Sequence, residues 1–257
     1  MITFSKYFKF ESYKFLHSKT ILFITIISLL MPIGTVFFSY LASLNDLQIN
    51  NPSLYQKINN FGVKNDIKSI NNLLLMIYSI GGYISLGFLS IWLFSSEFKD
   101  KTFNTIYCLP LKFEKIIYAK FLLLICYTFI LSILLFSIVN LFAFISGYKM
   151  NQVNIMHLFI KIINVNVTLL LLLLPVILIT CFTKDNLMPL GFIFITIIFS
   201  QVASSLGLSE YFPWTYPSIF SGLVPYDKLN VISFISITGL SLLSYFYLTQ
   251  WWKGYNL

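Results

Sequence analysis

Residues 71–96 read NNLLLMIYSIGGYISLGFLSIWLFSS, with no charged side chain anywhere in the run. An apolar stretch of about 18 residues or more is long enough to cross a hydrocarbon core of about 30 Å as a helix. The apolar residues are continuous rather than alternating, which fits a helix and not a strand of a membrane barrel. The run ends abruptly on charge, at Glu97, Lys99, Asp100 and Lys101.

The same pattern recurs on both sides. Apolar spans are expected at about 20–44, 71–96, 116–145, 158–182, 187–207 and 230–250, so the chain reads as an all-α membrane protein of six transmembrane helices. They form a single domain over 1–257. The links are polar: Asn-rich over 45–70, charged over 97–115, short over 146–157, and a tight turn at Thr183-Lys184-Asp185-Asn186. Residues 208–229 are rich in proline and aromatics, and Pro175 is expected to kink the fourth span. The first span follows a basic segment, as a signal peptide would. Its apolar run is far longer than the roughly 7–15 residues of a signal core, so it is expected to be retained. Composition agrees with a membrane setting. Charged residues make up 10% and hydrophobic ones 58%, with a mean hydropathy of +0.82. Soluble domains carry about 25% charged residues.

The net charge is +8, and all 17 basic residues are lysine. Arginine is the usual reader of phosphates and bases, so no nucleic-acid partner is expected. Lysine without arginine, beside abundant asparagine and isoleucine, reads as the coding bias of an AT-rich bacterium. Lysine placement sets the orientation. With the N-terminus inside, Lys6, Lys9, Lys14, Lys19, Lys99, Lys101, Lys112, Lys115, Lys120, Lys184 and Lys253 are cytoplasmic. Only Lys57, Lys64, Lys68, Lys149, Lys161 and Lys228 are outside. Six spans then return the C-terminus to the cytoplasm, in the plasma membrane of a bacterium. Ahead of the first span, Phe4, Phe8 and Phe15 share a helical stripe with Lys6 and Lys9 roughly opposite. That predicts an amphipathic helix lying on the membrane surface.

The missing chemistry is equally informative. The chain has no G-x-x-x-x-G-K-[ST] phosphate loop, no H-E-x-x-H and no G-x-S-x-G. His17 and His157 fall at membrane borders on opposite sides. All nine acids lie in loops or at span ends, so no ionisable group sits mid-membrane to drive coupled transport. Cys108, Cys126 and Cys181 fit no metal spacing and read as buried thiols. The chain is therefore expected not to be an enzyme and to hold no metal or cofactor. Energy for any uphill movement must enter from a partner.

Glu97 to Lys120 reads EFKDKTFNTIYCLPLKFEKIIYAK. Phe98, Thr102, Ile106 and Leu109 recur at helical spacing, while Lys99, Asp100 and Asn104 are polar. A short amphipathic helix on the inner leaflet, ended by Pro110, satisfies that pattern. The stretch resembles the signature of type-2 ABC exporter permeases. That signature has Glu, Thr five residues on, Pro eight further and a basic residue ten further. Glu97, Thr102, Pro110 and Lys120 match it, and Lys112 and Lys115 supply the usual basic residues after the proline. The glycine often found before the threonine is Lys101 here. The resemblance in topology covers essentially the whole chain; the motif itself covers this one segment.

The resemblance implies a cytoplasmic coupling helix between spans two and three, built on Glu97, Phe98, Lys101, Thr102, Asn104, Ile106 and Pro110. It implies two ABC ATPase subunits that hold ATP and Mg, and a second permease chain, identical or related. The cargo would be hydrophobic or a peptide, first of all an antimicrobial peptide expelled for immunity or resistance, with a drug, a lipid-linked compound or a toxin peptide as alternatives; from a different class, a non-transporting membrane scaffold or sensor is the other reading. It also implies a re-entrant outer segment before span six, where Glu210-Tyr-Phe-Pro-Trp-Thr-Tyr-Pro217 stands. The Pro213–Trp214 pair there is similar to permeases of lantibiotic immunity and bacitracin efflux. Among polar residues within spans, Asn140, Asn164, Asn166 and Gln201, with Trp214 from the outer segment, are candidates for a substrate path or subunit interface. A hydrogen bond within the bundle competes with that role for each of the four amides.

Overall fold

The computed structural model describes residues 4–43, 66–99, 113–146, 155–223 and 231–254. Among the described residues every regular element is helical. The chain opens with α1 (Phe4–Leu16), α2 (Lys19–Ser28) and α3 (Leu30–Ser43). Long helices follow: α4 (Ile67–Lys99), α5 (Phe113–Ile145), α6 (Ile155–Thr183) and α7 (Leu187–Ser205). A 3-10 turn (Pro213–Thr215) and the short α8 (Tyr216–Ser221) precede α9 (Val231–Gly254).

Among the described residues five stretches are long and apolar enough to cross a membrane: Lys19–Leu41, Ile67–Lys99, Lys115–Ile145, Met156–Thr183 and Leu187–Ser205. These coincide with the first five expected spans. At the sixth position stands α9, with 24 residues, about 36 Å at about 1.5 Å rise per residue.

Local chemistry explains where the helix bounds depart from expectation. The first span is broken at Leu29. Pro32 has no N–H for the Ser28 carbonyl, and its ring crowds that carbonyl, so the helix restarts with proline in its first turn. The second span starts earlier than expected because Asp66 caps it: its Oδ1 accepts from Ser69 N at 3.1 Å. Pro175 lies inside α6, and the helix is assigned without interruption from Ile155 to Thr183. The tight turn after it carries Lys184 at φ 54°, a left-handed backbone rare for a lysine.

α4 is the axle of the bundle. It packs against α2, α3, α5, α6, α7 and α8, and it is buried on most of its surface, Leu74, Tyr78, Leu86 and Phe94 completely. Gly87 lets α7 approach: a Cβ there would collide with the tip of Ile193. α7 is the opposite case, mostly exposed, with Phe194, Ile195, Ile198 and Phe199 facing outward. Outward apolar residues are ordinary for helices surrounded by lipid. Cys181 is buried, but Cys126 is exposed on α5, correcting the expectation that it is a core thiol. It sits on the outward stripe with Leu122, Ile125 and Ile133. Cys108 lies outside the described residues.

Candidate functional site

One pole of the bundle gathers the ends of α4, α6 and α9. Phe98 of α4 and Phe182 of α6 both pack edge-on against Trp251 of α9, with ring centroids 6.1 and 5.9 Å apart. The start of α5 arrives at the same place. Lys120 and Glu97, the last and first residues of the signature, form an ion pair at 2.6 Å. Both side chains are buried, at 1% and 0% exposure. The Lys120 ammonium also donates to the Leu93 carbonyl at 2.9 Å and lies 5.4 Å from the centroid of the Phe94 ring.

That geometry corrects the expected place of Glu97. It does not open a surface loop or start a short helix. It belongs to the last turn of α4, turned into the bundle, where a charge is tolerated only when paired. Phe98 is half-buried. Lys101, Thr102, Asn104, Ile106 and Pro110 lie outside the described residues. The two charged ends of the signature thus meet.

α1 closes over this pole. Its inward face is Tyr7, Glu11 and Phe15, a strict i, i+4, i+8 row. The expected stripe of Phe4, Phe8 and Phe15 is therefore rotated: Phe15 is buried, Phe8 half-buried and Phe4 exposed, while Lys6 and Lys9 are exposed as expected. Tyr7 donates to the Glu11 carboxylate at 2.8 Å, and Glu11 itself is 2% exposed. Lys14 donates to Ser96 Oγ at 3.2 Å, tying α1 to the turn that carries Glu97. Burial, then the carboxylates of Glu11 and Glu97, push the Tyr7 phenol above its ordinary value. α1 is thus joined to the charged lock. Sequence reading missed Glu11 and Tyr7 because aromatic residues fill several faces of this helix. The 7/11/15 spacing was the available signal.

Two of the four candidate amides, Asn140 and Asn166, are bonded to other helices of the bundle. Asn71 and Asn140 exchange amide hydrogen bonds at 3.0 and 3.2 Å, joining the start of α4 to the end of α5. Asn166, fully buried on α6, accepts from Tyr78 at 2.8 Å and donates to Ser132 at 3.0 Å, so one amide ties α4, α5 and α6. Such bonds between membrane helices are worth on the order of 0.6–2 kcal/mol each. Asn164 is half-buried, and Gln201 is exposed on α7.

Trp214 is docked rather than free. Its indole N–H donates at 2.8 Å to the Tyr83 hydroxyl, which lies 3.4 Å from Thr196 Oγ1. Phe192 packs against it edge-on at 5.6 Å. Tyr83 is halfway along α4, about 24 Å from either helix end at about 1.5 Å per residue. Trp214, between α7 and α9, therefore reaches the middle of α4. Its backbone is held from within: Thr215 and Tyr216 hydroxyls donate to the carbonyls of Ser209 and Glu210. Among the described residues no group of three His, Cys, Asp or Glu is placed to hold a metal ion.

The arrangement is that of a helical bundle whose charged lock sits at one pole. The family of the chain decides the reading. Residues 7–200 match the family model described as ABC-2 family transporter protein. The chain belongs to the ABC-2 transporter family. No curated protein and no solved structure matched it. As an ABC-2 permease it is a membrane-embedded subunit of an ABC transporter, and such permeases work with ATPase subunits. The matched region runs from Tyr7, inside α1, to Ser200, inside α7, so it takes in the whole Glu97–Lys120 lock.

Proposed function

We propose that this ABC-2 permease is the moving membrane part of an ATP-driven exporter. It has six spans, counting α9, and both termini lie in the cytoplasm of a bacterium. Two ATPase subunits hold ATP and Mg, and a second permease chain, identical or related, completes the pore. The observation that carries the reading is the Glu97–Lys120 pair. It clamps α4 to α5 at the two roots of the 100–112 segment. A push on that segment by an ATPase is then delivered to both helices together. The Phe98–Trp251–Phe182 contact passes it to α6 and α9.

In this reading Lys101, Thr102, Asn104, Ile106 and Pro110 form the surface that meets the ATPase. Glu97 and Phe98 act behind it as positioning residues. The outer segment around Trp214 is re-entrant, and irregular backbone at membrane depth needs the internal hydrogen bonds it has here. The cargo is an amphipathic or hydrophobic compound, and we favour an antimicrobial peptide of the lantibiotic or bacitracin kind, expelled for self-protection. The loose likeness of the Pro213–Trp214 pair supports that choice. A drug, a lipid-linked compound or a toxin peptide would use the same machine.

Lys101→Glu tests the coupling surface without touching the buried lock. Membrane abundance is expected to stay at the wild-type level. Recovery of the ATPase in a pull-down and survival against the peptide are both expected to fall severalfold. Wild-type pull-down and wild-type survival would make the segment a plain connector.

A further inference from the structure

A cavity of about 610 Å³ opens between α2–α3, α4 and α7, apart from the charged lock and from the Trp214 segment. Its walls are apolar: Phe23, Ile27, Met31, Ile84, Phe88 and Trp92. Phe23, Ile27 and Phe88 are exposed, so the cavity opens sideways, where the bilayer would be, rather than along the bundle axis. Pockets of roughly 300–1,000 Å³ hold small molecules, so the space fits one chain-like ligand.

Apart from Ser85, whose hydroxyl donates to the Gly82 carbonyl of its own helix, the polar lining gathers at one end of the cavity. Lys19 and Thr20, at the start of α2, and Asn186, at the cap of α7, line it there. Two helix N-termini therefore meet at the mouth beside an exposed lysine; the Asp185 carboxylate accepts from Asn186 N at 2.7 Å at the start of α7, so the positive charge of the mouth comes from Lys19 and the N-terminus of α2. The second observation is Asn186. Its side chain makes no capping bond, and its Oδ1 is buried without a hydrogen-bond partner among the described residues. A buried acceptor of this kind calls for a donor from outside.

The dimensions fix the leaflet. One wall runs over α2 and into the start of α3, from Lys19 to Met31, and the facing wall runs from Gly81 to Trp92 along α4, about 16 Å at about 1.5 Å per residue. Half of a hydrocarbon core of about 30 Å is about 15 Å. The cavity is one leaflet deep, with its cationic end on the side assigned to the cytoplasm by lysine placement.

We infer that this cavity is a binding site for an anionic glycerophospholipid of the inner leaflet. One acyl chain fills the apolar groove. The phosphate meets Lys19 and the first N–H groups of α2, and a headgroup hydroxyl donates to Asn186 Oδ1. A zwitterionic choline headgroup brings no donor and no net charge, so it fits the mouth poorly.

Trp92 in the cavity wall supplies the readout. The full-length chain is placed in vesicles containing equal small fractions of acyl-brominated phosphatidylglycerol or acyl-brominated phosphatidylcholine. Bromine quenches tryptophan on contact, and the part lost in Trp92→Phe isolates this site. Trp92-dependent quenching is expected to favour the anionic lipid about fivefold, the effect of one lysine beside an anionic headgroup. Lys19→Glu should bring that preference to about one while leaving the fold intact, because an acid at the first turn of a helix is favourable. Lys9→Glu, an exposed change of equal charge on α1, should leave the preference as it is. Equal quenching by both lipids overturns the inference, as does an unchanged preference in Lys19→Glu or its loss in Lys9→Glu. Absence of Trp92-dependent quenching overturns it too, and means that protein, such as a second copy of the chain, covers the groove.

Discussion

Glu97→Ala should remove most of the protein from the membrane. It leaves Lys120 buried at 1% exposure with its carboxylate gone and only the Leu93 carbonyl to accept from it. Breaking a buried pair by deleting one partner costs roughly 3–5 kcal/mol, a large share of a typical folding free energy. Losses of that size lower steady-state abundance severalfold or more through proteolysis of the unfolded form. Lys120→Met should do comparable damage by stranding Glu97, whose Oε2 has no hydrogen-bond partner among the described residues. The double variant Glu97→Ala, Lys120→Met should recover much of the loss, because it leaves no unpaired charge. Thermal melting of the purified chain and membrane abundance read the cycle. Wild-type melting in Glu97→Ala, or a double variant as poor as the sum of the singles, would show that the pair does not hold α4 to α5.

The second large effect is expected at Trp214. Trp214→Ala removes the hydrogen bond to Tyr83 and the ring contacts with Phe192 and Phe212. The indole is half-buried, so the cost should lie at or below the roughly 3–5 kcal/mol of a fully buried aromatic truncated to alanine. Its consequence is local. The Tyr83 hydroxyl keeps only the 3.4 Å contact to Thr196, and the Pro213–Ser221 segment loses its anchor on α4. Protease or hydrogen-exchange protection of residues 208–223 should fall sharply while protection of α4, α5 and α6 persists. Trp214→Phe should keep part of the packing and lose the hydrogen bond, giving an intermediate result. Unchanged protection in Trp214→Ala would mean that the segment is held by Thr215 and Tyr216 alone.

The positions of the long helices were legible because continuous apolar runs are a signal that no tertiary context needs to override. Bounds shifted where single residues act: Asp66 as a cap, Pro32 as a break. The lock was only half legible. The signature spacing singled out Glu97 and Lys120, yet Glu97 read as a surface charge because an acid beside Lys99 and Asp100 looks solvated. Only the antiparallel pairing of α4 with α5 brings a lysine 23 positions away onto it. The α1 face was misread for a similar reason. Periodicity weights aromatics above Glu11, whose carboxylate is buried and accepts from the Tyr7 hydroxyl one turn away. The amides Asn71, Asn140 and Asn166 were visible as polar residues in apolar runs, but their partners are matters of register between helices.

We propose that this permease does no ATP chemistry itself and is driven by a separate subunit through the residues between Glu97 and Lys120. ATP hydrolysis measured on the purified chain, alone and after adding its ATPase subunits in proteoliposomes, tests it most directly. The account predicts no hydrolysis above background for the chain alone, and hydrolysis with ATP-dependent cargo movement only for the complex. Sustained hydrolysis by the isolated, contaminant-free chain, or cargo movement without the ATPase, would contradict it.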